Sequence, residues 1–330
     1  MSQFDVDTKR NEFFAQMERE LGEMMDPVTK APRAELVEDV PCPCCGTPGA
    51  PLLKKWGFTY DKCPNCTAIF TNPRLKEEVV IQLYRQGSEA NEMWAKNVHS
   101  SPVQMATNHK YFHEQARFLK TFCPTGGLVD VGCGNGDFLV EARKQGFECL
   151  GLELEEKAVA IARSKNLEII DSLLDDARVN TRRFDALTMF GVLEHLFEPE
   201  RDLRRIHGLL KDDGIFLGIT PNSMSMVGML LHEEARFYTP RNHPVIFSGY
   251  ALRKLFERCG FEVVHLDTVL SGYESIVNTL QYREPFGPMK FEAFFPEKLV
   301  GLVSNREKFE ELLFQFDLGL RLRIVARKKR

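Results

Sequence analysis

Apolar and polar positions follow two different periods along the chain. Near its start, Phe13, Phe14, Met17, Leu21 and Met24 recur at helical spacing on a charged background and predict a helix over 8–25. Pro27, Pro32 and Pro41 interrupt that pattern, so 26–41 reads as a linker. A cysteine-rich block runs on to Asn72–Pro73. Helical patterning returns over 76–96 and 108–122, on either side of a polar break around His99–Pro102. From Gly126 the texture changes to short apolar runs between amphipathic stretches. Strands are expected at 128–131, 148–153, 169–170, 184–190, 214–220, 261–266 and 320–326, and helices at 136–146, 156–165, 198–211 and 248–260. Strand–helix alternation of this kind predicts an α/β fold with a doubly wound, mostly parallel sheet. Residues 270–318, rich in Phe and Pro, break the rhythm before the last strand.

Composition narrows the class. Of 330 residues, 43% are hydrophobic and 27% charged, which is globular and not disordered composition. The length suits about two domains, or one domain with an appendage. A net charge of -4 argues against a protein that coats nucleic acid, because phosphate contacts need a basic face. No apolar run approaches 18 residues and the first residues form no apolar leader, so the expectation is a cytoplasmic protein without a membrane span.

Five of the nine cysteines lie between Cys42 and Cys66. Cys42, Cys45, Cys63 and Cys66 are spaced C-x2-C-x17-C-x2-C, two knuckles whose thiolates can converge on one tetrahedral Zn²⁺. Four thiolate ligands leave no open position, so the expected zinc is structural. Cys44 is the spare thiol. Trp56, Phe58, Tyr60, Ile69 and Phe70 supply a small apolar face for the same block.

The most informative segment is Leu128-Val-Asp130-Val-Gly132-Cys133-Gly134-Asn135-Gly136-Asp137, between a predicted strand and a predicted helix. Its glycines let backbone approach a ligand where a Cβ would clash. A dinucleotide fingerprint needs Gly or Ala at the position of Asp137, whose carboxylate would oppose a pyrophosphate, so a nicotinamide oxidoreductase is disfavoured. Asp130 can instead attract a cationic amino group. Glu153, 19 residues after Gly134 and followed by Leu154, stands at the end of the next strand, where a carboxylate accepts ribose hydroxyls. S-adenosylmethionine has both an amino-acid end and a nucleoside end. Met189 and Phe190, at the end of the fourth strand, are candidates to flank its adenine, with plain core packing as the alternative.

These motifs resemble those of class I S-adenosylmethionine-dependent methyltransferases. The glycine loop is similar to their first motif, Phe184-Asp185 to Leu193-Glu194-His195 to their fourth-strand motif, and Lys211-Asp-Asp-Gly214 to the segment entering their fifth strand. His243 to Ser248, then Leu252 to Phe261, resembles a segment of small-molecule members. The resemblance spans about 105–268. With the cysteine block it extends to bacterial sugar and natural-product methyltransferases bearing an N-terminal zinc ribbon. It implies a Rossmann-like methyltransferase domain over 123–330 with the Phe-rich insertion at about 270–318, a zinc ribbon over 39–73, a helical connector over 74–122 and an N-terminal helix and linker over 1–38. It also implies carbohydrate biosynthesis as the setting and a sugar, nucleotide-sugar or glycan intermediate as acceptor.

Methyl transfer to a hydroxyl or acidic C–H calls for a general base. His195, beside Glu194 at the fourth strand's end, is one candidate. His243 is the other. In zinc-bearing sugar methyltransferases the segment around it reads Y…EH…FS with the His as base; this chain keeps Tyr238 and His243 and has Asn242 where the Glu stands. Arg236 and Arg241 are candidates for an acceptor phosphate or carboxylate, or else plain loop charges. The inserted Phe286, Phe291, Phe294, Phe295, Phe309, Phe314 and Phe316 are read as a lid, a homodimer face or core. An RNA methyltransferase using the ribbon for RNA, and a non-catalytic S-adenosylmethionine-binding module, are the competing readings.

Overall fold

A computed structural model of the chain describes residues 9–94, 101–280, 283–284, 287–288, 301 and 304–329. Of the predicted insertion, Phe286, Phe291, Phe294 and Phe295 lie outside these residues.

Helix α1 (Arg10–Gly22) turns Phe13, Met17 and Leu21 inward, one residue per turn on a single stripe. The cysteine block then forms a small antiparallel sheet of β1 (Ala50–Lys55), β2 (Phe58–Lys62) and β3 (Ile69–Thr71). The expected helix over 76–96 is split into α2 (Glu77–Gln86) and α3 (Glu89–Met93), because Gly87 takes a positive φ of 72° and the Ser88 hydroxyl caps the second piece at Asn91 N. Helix α4 (Pro102–Lys120) starts six residues before the expected 108. Ser101 accepts from Gln104 N as its cap and Pro102 fills the first turn, a start signal stronger than the polarity of the residues that follow.

Then comes the alternating region: β4 (Gly126–Val131), α5 (Asp137–Lys144), β5 (Phe147–Leu152), α6 (Glu156–Ser164), β6 (Glu168–Ile170), β7 (Phe184–Phe190), α7 (Pro199–Leu209) and β8 (Leu210–Pro221). Strand β8 begins earlier than the expected 214. Asp213 adopts φ 62°, and the pairing with β7 shifts register between Leu210 and Ile215. The rest of the frame is β9 (Val245–Ile246), α8 (Gly249–Arg258), β10 (Phe261–Val269) and β11 (Arg321–Lys328).

The seven-stranded main sheet runs β10-β11-β8-β7-β4-β5-β6. All its pairs are parallel except those made by β11, which is antiparallel to both neighbours. The order reverses between β4 and β7. Ligands bind beyond the carboxyl ends of strands at such a reversal. Val129, Leu150, Leu187 and Phe216 form the core on one face and Leu128, Leu139, Ala186 and Leu217 on the other.

Strand β9 was not foreseen as a strand. It pairs with β3 of the cysteine block, so the four-stranded second sheet runs β9-β3-β2-β1. The join continues beyond the strands. Thr71 N donates to Pro244 O, Ser223 Oγ to Thr67 O, and Ser248 Oγ to Cys66 O at 2.7 Å. Of the described phenylalanines in the insertion, Phe309 is buried with Ile276 and Leu313 beside Tyr238, while Phe314 and Phe316 are exposed. Among the described residues no helix is long and apolar enough to cross a membrane.

Ser248 holds two elements at once, donating to Cys66 O and accepting Ala251 N at the start of α8. Ser248→Ala loses the cap and one of the two hydroxyl donors to Cys66 O, the other being Thr67 Oγ1. It is expected to cost about 1–3 kcal/mol, read as a lower urea midpoint at unchanged slope.

Candidate active site

At the carboxyl end of β4 the backbone turns through Gly132, Gly134 and Gly136, at φ 67°, 51° and 74°. Gly132 N and Cys133 N donate to Leu152 O, which fixes the loop over β5. A Cβ on Gly132 would stand 2.6 Å from Val192 Cγ2, and one on Gly136 would run into Leu167. The close packing of the loop against Val192 and Leu167 therefore requires glycine at both positions.

Two carboxyls flank that cradle. Asp130 is 3% exposed and accepts Thr188 Oγ1 at 2.7 Å. Burial pushes its pKa up to about 8; the Thr188 bond opposes the shift and the Glu153 charge adds to it. Glu153 accepts Gly134 N on Oε2 at 2.8 Å and Leu154 N and Glu155 N on Oε1 at 2.8 and 2.9 Å, and burial raises its pKa against those bonds. In this structure Glu153 holds the glycine loop. Oε1 has both lone pairs taken, while Oε2 keeps one for a further donor. Asn135 Oδ1 is buried in the same loop without a partner. A buried carboxyl lacking a cation, an orphaned amide oxygen and a glycine cradle fit the amino-acid and nucleoside ends of S-adenosylmethionine.

The two residues expected against the adenine point opposite ways, as neighbours on a strand must. Met189 is wholly buried in the sheet core. Phe190 lies on the other face, its ring 4.6 Å from Phe138 and 5.7 Å from Phe112.

Beyond β7, a 3-10 turn over Leu193–His195 buries Glu194, whose Oε2 accepts Thr220 Oγ1 at 2.9 Å. His195 and His243, distant in sequence, come together with ring centroids 4.8 Å apart and planes nearly perpendicular. Ligand atoms of Glu194, His195 and His243 all lie within 4.8 Å of one another. The His243 Nδ1 is 2.7 Å from Phe237 O. A carbonyl only accepts, so Nδ1 carries the hydrogen and Nε2 the lone pair. Burial lowers the pKa of both rings, that of His243 well below the usual value, with the neighbouring His195 charge adding to it. Both rings are neutral at pH 7.

Tyr84, on α2, has no motif around it and was not singled out in the sequence. Its hydroxyl accepts from Asn242 Nδ2 at 3.3 Å and stands 3.4 Å from His195 Nδ1. Tyr238 instead packs in an apolar cluster, with ring centroids 5.0 Å from Tyr60 and 4.6 Å from Phe237. Burial pushes its pKa up to about 12. The two loop arginines are already paired. Arg236 donates to Asn11 Oδ1. Arg241, 3% exposed, meets Glu20 at 3.2 Å and donates to Ser88 and Asn91. The anion-binding role read for them does not fit these contacts.

In the cysteine block the four expected thiols converge. Cys42 and Cys66, and Cys45 and Cys63, are each 3.5 Å apart, and all four sulfurs lie within 4.8 Å. Each knuckle closes on a residue in the left-handed region, Gly46 at φ 72° and Thr67 at φ 60°, whose N–H groups reach back to Cys42 O and Cys63 O. This four-cysteine cluster fits a small zinc-ribbon domain. Cys44, the spare, is buried beside it.

Residues 103–266 match a family model described as a methyltransferase domain. The chain is 35% identical over 101 residues to a protein of Geobacillus sp. (strain WCH70) provisionally named a methyltransferase, covering 27% of this chain and 40% of that protein. It is 26% identical over 175 residues to the ubiquinone biosynthesis O-methyltransferase of Chromobacterium violaceum, covering 46% of this chain and 73% of that one. A SAM-dependent methyltransferase structure from Archaeoglobus fulgidus is 17% identical, with 77% of this chain and all of that chain covered at a TM-score of 0.47. The chain spans less than half the length of the Geobacillus protein.

A pKa near 8 for Asp130 means the folded chain keeps a proton that the unfolded chain releases near pH 4. Stability at this residue is thus fully present below about pH 4 and is lost as pH rises toward about 8. Asp130→Asn removes the dependence. Its melting temperature relative to wild type should rise steadily from pH 5 to pH 8 in scanning calorimetry. A difference that stays flat with pH contradicts a protonated, buried carboxyl.

Proposed function

Residues 103–266 carry a methyltransferase domain, and from that premise we propose that the protein moves a methyl group from S-adenosylmethionine to a hydroxyl of a small acceptor, a sugar, nucleotide-sugar or glycan intermediate. The observation that carries this reading is a neutral histidine lone pair, His243 Nε2, in one region with the carboxyl-flanked glycine cradle.

When bound, S-adenosylmethionine supplies a methyl already activated by its sulfonium charge, which leaves orientation and proton removal to the protein. Asp130, ionised by contact with an ammonium, holds the amino-acid end. Glu153 takes the ribose hydroxyls, with Gly132, Cys133, Gly134, Asn135 and Gly136 as the backbone floor and Leu154 and Phe190 as apolar walls. His243 takes the acceptor proton on Nε2. Its Nδ1–H, tied to Phe237 O, keeps the ring in that tautomer. His195 is the less suited base. Asn242 occupies the Tyr84 oxygen and so leaves the tyrosine hydrogen for His195 Nδ1, while the carbonyls of Asn242 and Gly191 favour an N–H on this ring. His195 and Glu194 position the pair.

The same proposal gives Cys42, Cys45, Cys63 and Cys66 a structural zinc ion and places the protein in the cytoplasm, where thiols stay reduced. The ion would brace the acceptor side, since β3 carries Pro244 and the His243 carbonyl on Thr71. Metal analysis should find one zinc per chain. Chelation should lower the melting temperature and the methyl-transfer rate together.

Calorimetric titration of zinc-loaded protein with S-adenosylhomocysteine, with NAD alongside, tests the cofactor. Micromolar binding of the former alone, abolished in Asp130→Ala/Glu153→Ala, is expected; no binding by folded protein overturns the reading. His243→Gln should retain that binding while kcat falls by about 10²–10⁴-fold.

A further inference from the structure

Arg321 is the first residue of β11, in register with Pro221 of β8 and Val269 of β10, at the sheet end where β7 delivers Gly191. Its side chain is partly buried and makes no hydrogen bond or ion pair with any described residue. Its neighbours are otherwise. Arg323, on the same face of the strand, forms a two-point pair with Asp267 and stacks on Phe118 at 3.7 Å. Arg236 and Arg241 are held by the N-terminal helices as described above. Glu194, in the adjoining turn, is directed onto Thr220 and forms no ion pair with Arg321.

The place occupied by this guanidinium is specific. A Cβ built on Gly191 would lie 3.7 Å from Arg321 Nη1 and 3.6 Å from Glu194 Oε1. Gly191 thus lets the guanidinium approach the Glu194–His195 turn closely, with Glu194 Oε1 bordering the same spot. The Arg321 charge also bears on Tyr111, His195 and His243. The Tyr111 hydroxyl likewise has no hydrogen-bond partner among the described residues. A half-buried guanidinium without a partner, at the turn that carries His195, is matched by an oxyanion, and Tyr111 is a second unpartnered donor that feels the same charge.

We propose that the acceptor is an anion, and that Arg321, assisted by Tyr111, binds its carboxylate or phosphate while the hydroxyl to be methylated faces His243. The inference rests on the methyltransferase reading and deepens it. A planar guanidinium makes two parallel bonds to a carboxylate or phosphate, which sets the acceptor's orientation as well as its affinity. Arg321 is therefore a specificity residue that touches the acceptor.

The test uses full-length, zinc-loaded protein saturated with S-adenosylhomocysteine. It is titrated with glucose, glucuronate and glucose 6-phosphate, and with catechol and 3,4-dihydroxybenzoate. Methyl transfer to each is followed with S-adenosylmethionine. An anionic member should bind about tenfold or more tightly than its neutral mate. The glucuronate and phosphate arms tell the two oxyanions apart. Arg321→Gln should erase the preference, Arg321→Lys should restore part of it, and neither should change S-adenosylhomocysteine affinity. Neutral members bound as well as the anions, no member bound, or an Arg321→Gln loss equal for both kinds overturns the proposal. Failure to bind S-adenosylhomocysteine in the first place overturns the methyltransferase reading instead.

Discussion

Two backbone pairings, Val245 with Phe70 and Ile246 with Ile69, tie the cysteine block to the main α/β frame. Much of the acceptor side depends on them. The strand they create begins two residues after His243, and Pro244 and the His243 carbonyl are both held by Thr71. On its other side the segment runs into Ser248, which caps α8 and bonds to Cys66 O. The histidine and the helix start thus lie on one short stretch, 243–248, bonded at both ends to the cysteine block. Its lost ladder bonds could be recovered only with water, which a buried strand excludes. This makes the ribbon part of the frame that positions His243, and not an appendage joined by a linker.

The legible parts of the sequence are the local ones. The glycine loop, the two knuckles and the β-α alternation are encoded within windows of ten to twenty residues, and each stands where the pattern puts it. What was illegible depends on partners distant in the chain. Val245–Ile246 is too short to show a period, and its strand character comes only from β3. Tyr84 lies on a helix with no motif and gains its place through Asn242 and His195. Arg241 looked available beside a candidate base until α1 brought Glu20 to it. Met189 and Phe190 show a finer limit: alternation sends the two neighbours to opposite faces, but only the packed sheet says which face each takes.

The site is also unusual in how its ionisable groups are held. Asp130 is pushed up to about 8, the histidines are pushed down, and both shifts are led by burial. Each group is kept in its neutral form in the resting protein. In the proposed function an ammonium replaces the Asp130 proton. In the same proposal the neutral His243 ring is the form that takes the acceptor's proton. In that proposal desolvation, one physical cause, prepares an acid for a cation and a base for a proton.

The Arg321 guanidinium sharpens this arrangement. Burial leads the lowering of the His243 pKa, and the permanent positive charge of Arg321 adds a smaller push in the same direction. An acceptor that brings its own negative charge cancels that field at the moment of binding. The histidine then becomes easier to protonate just when there is a hydroxyl proton to take. In the proposed reading, recognition of the anion and activation of the base are linked through this one charge. A neutral acceptor of equal shape would leave the Arg321 charge uncompensated and His243 a weaker base. Selectivity would then be expressed in the rate of methyl transfer as well as in affinity.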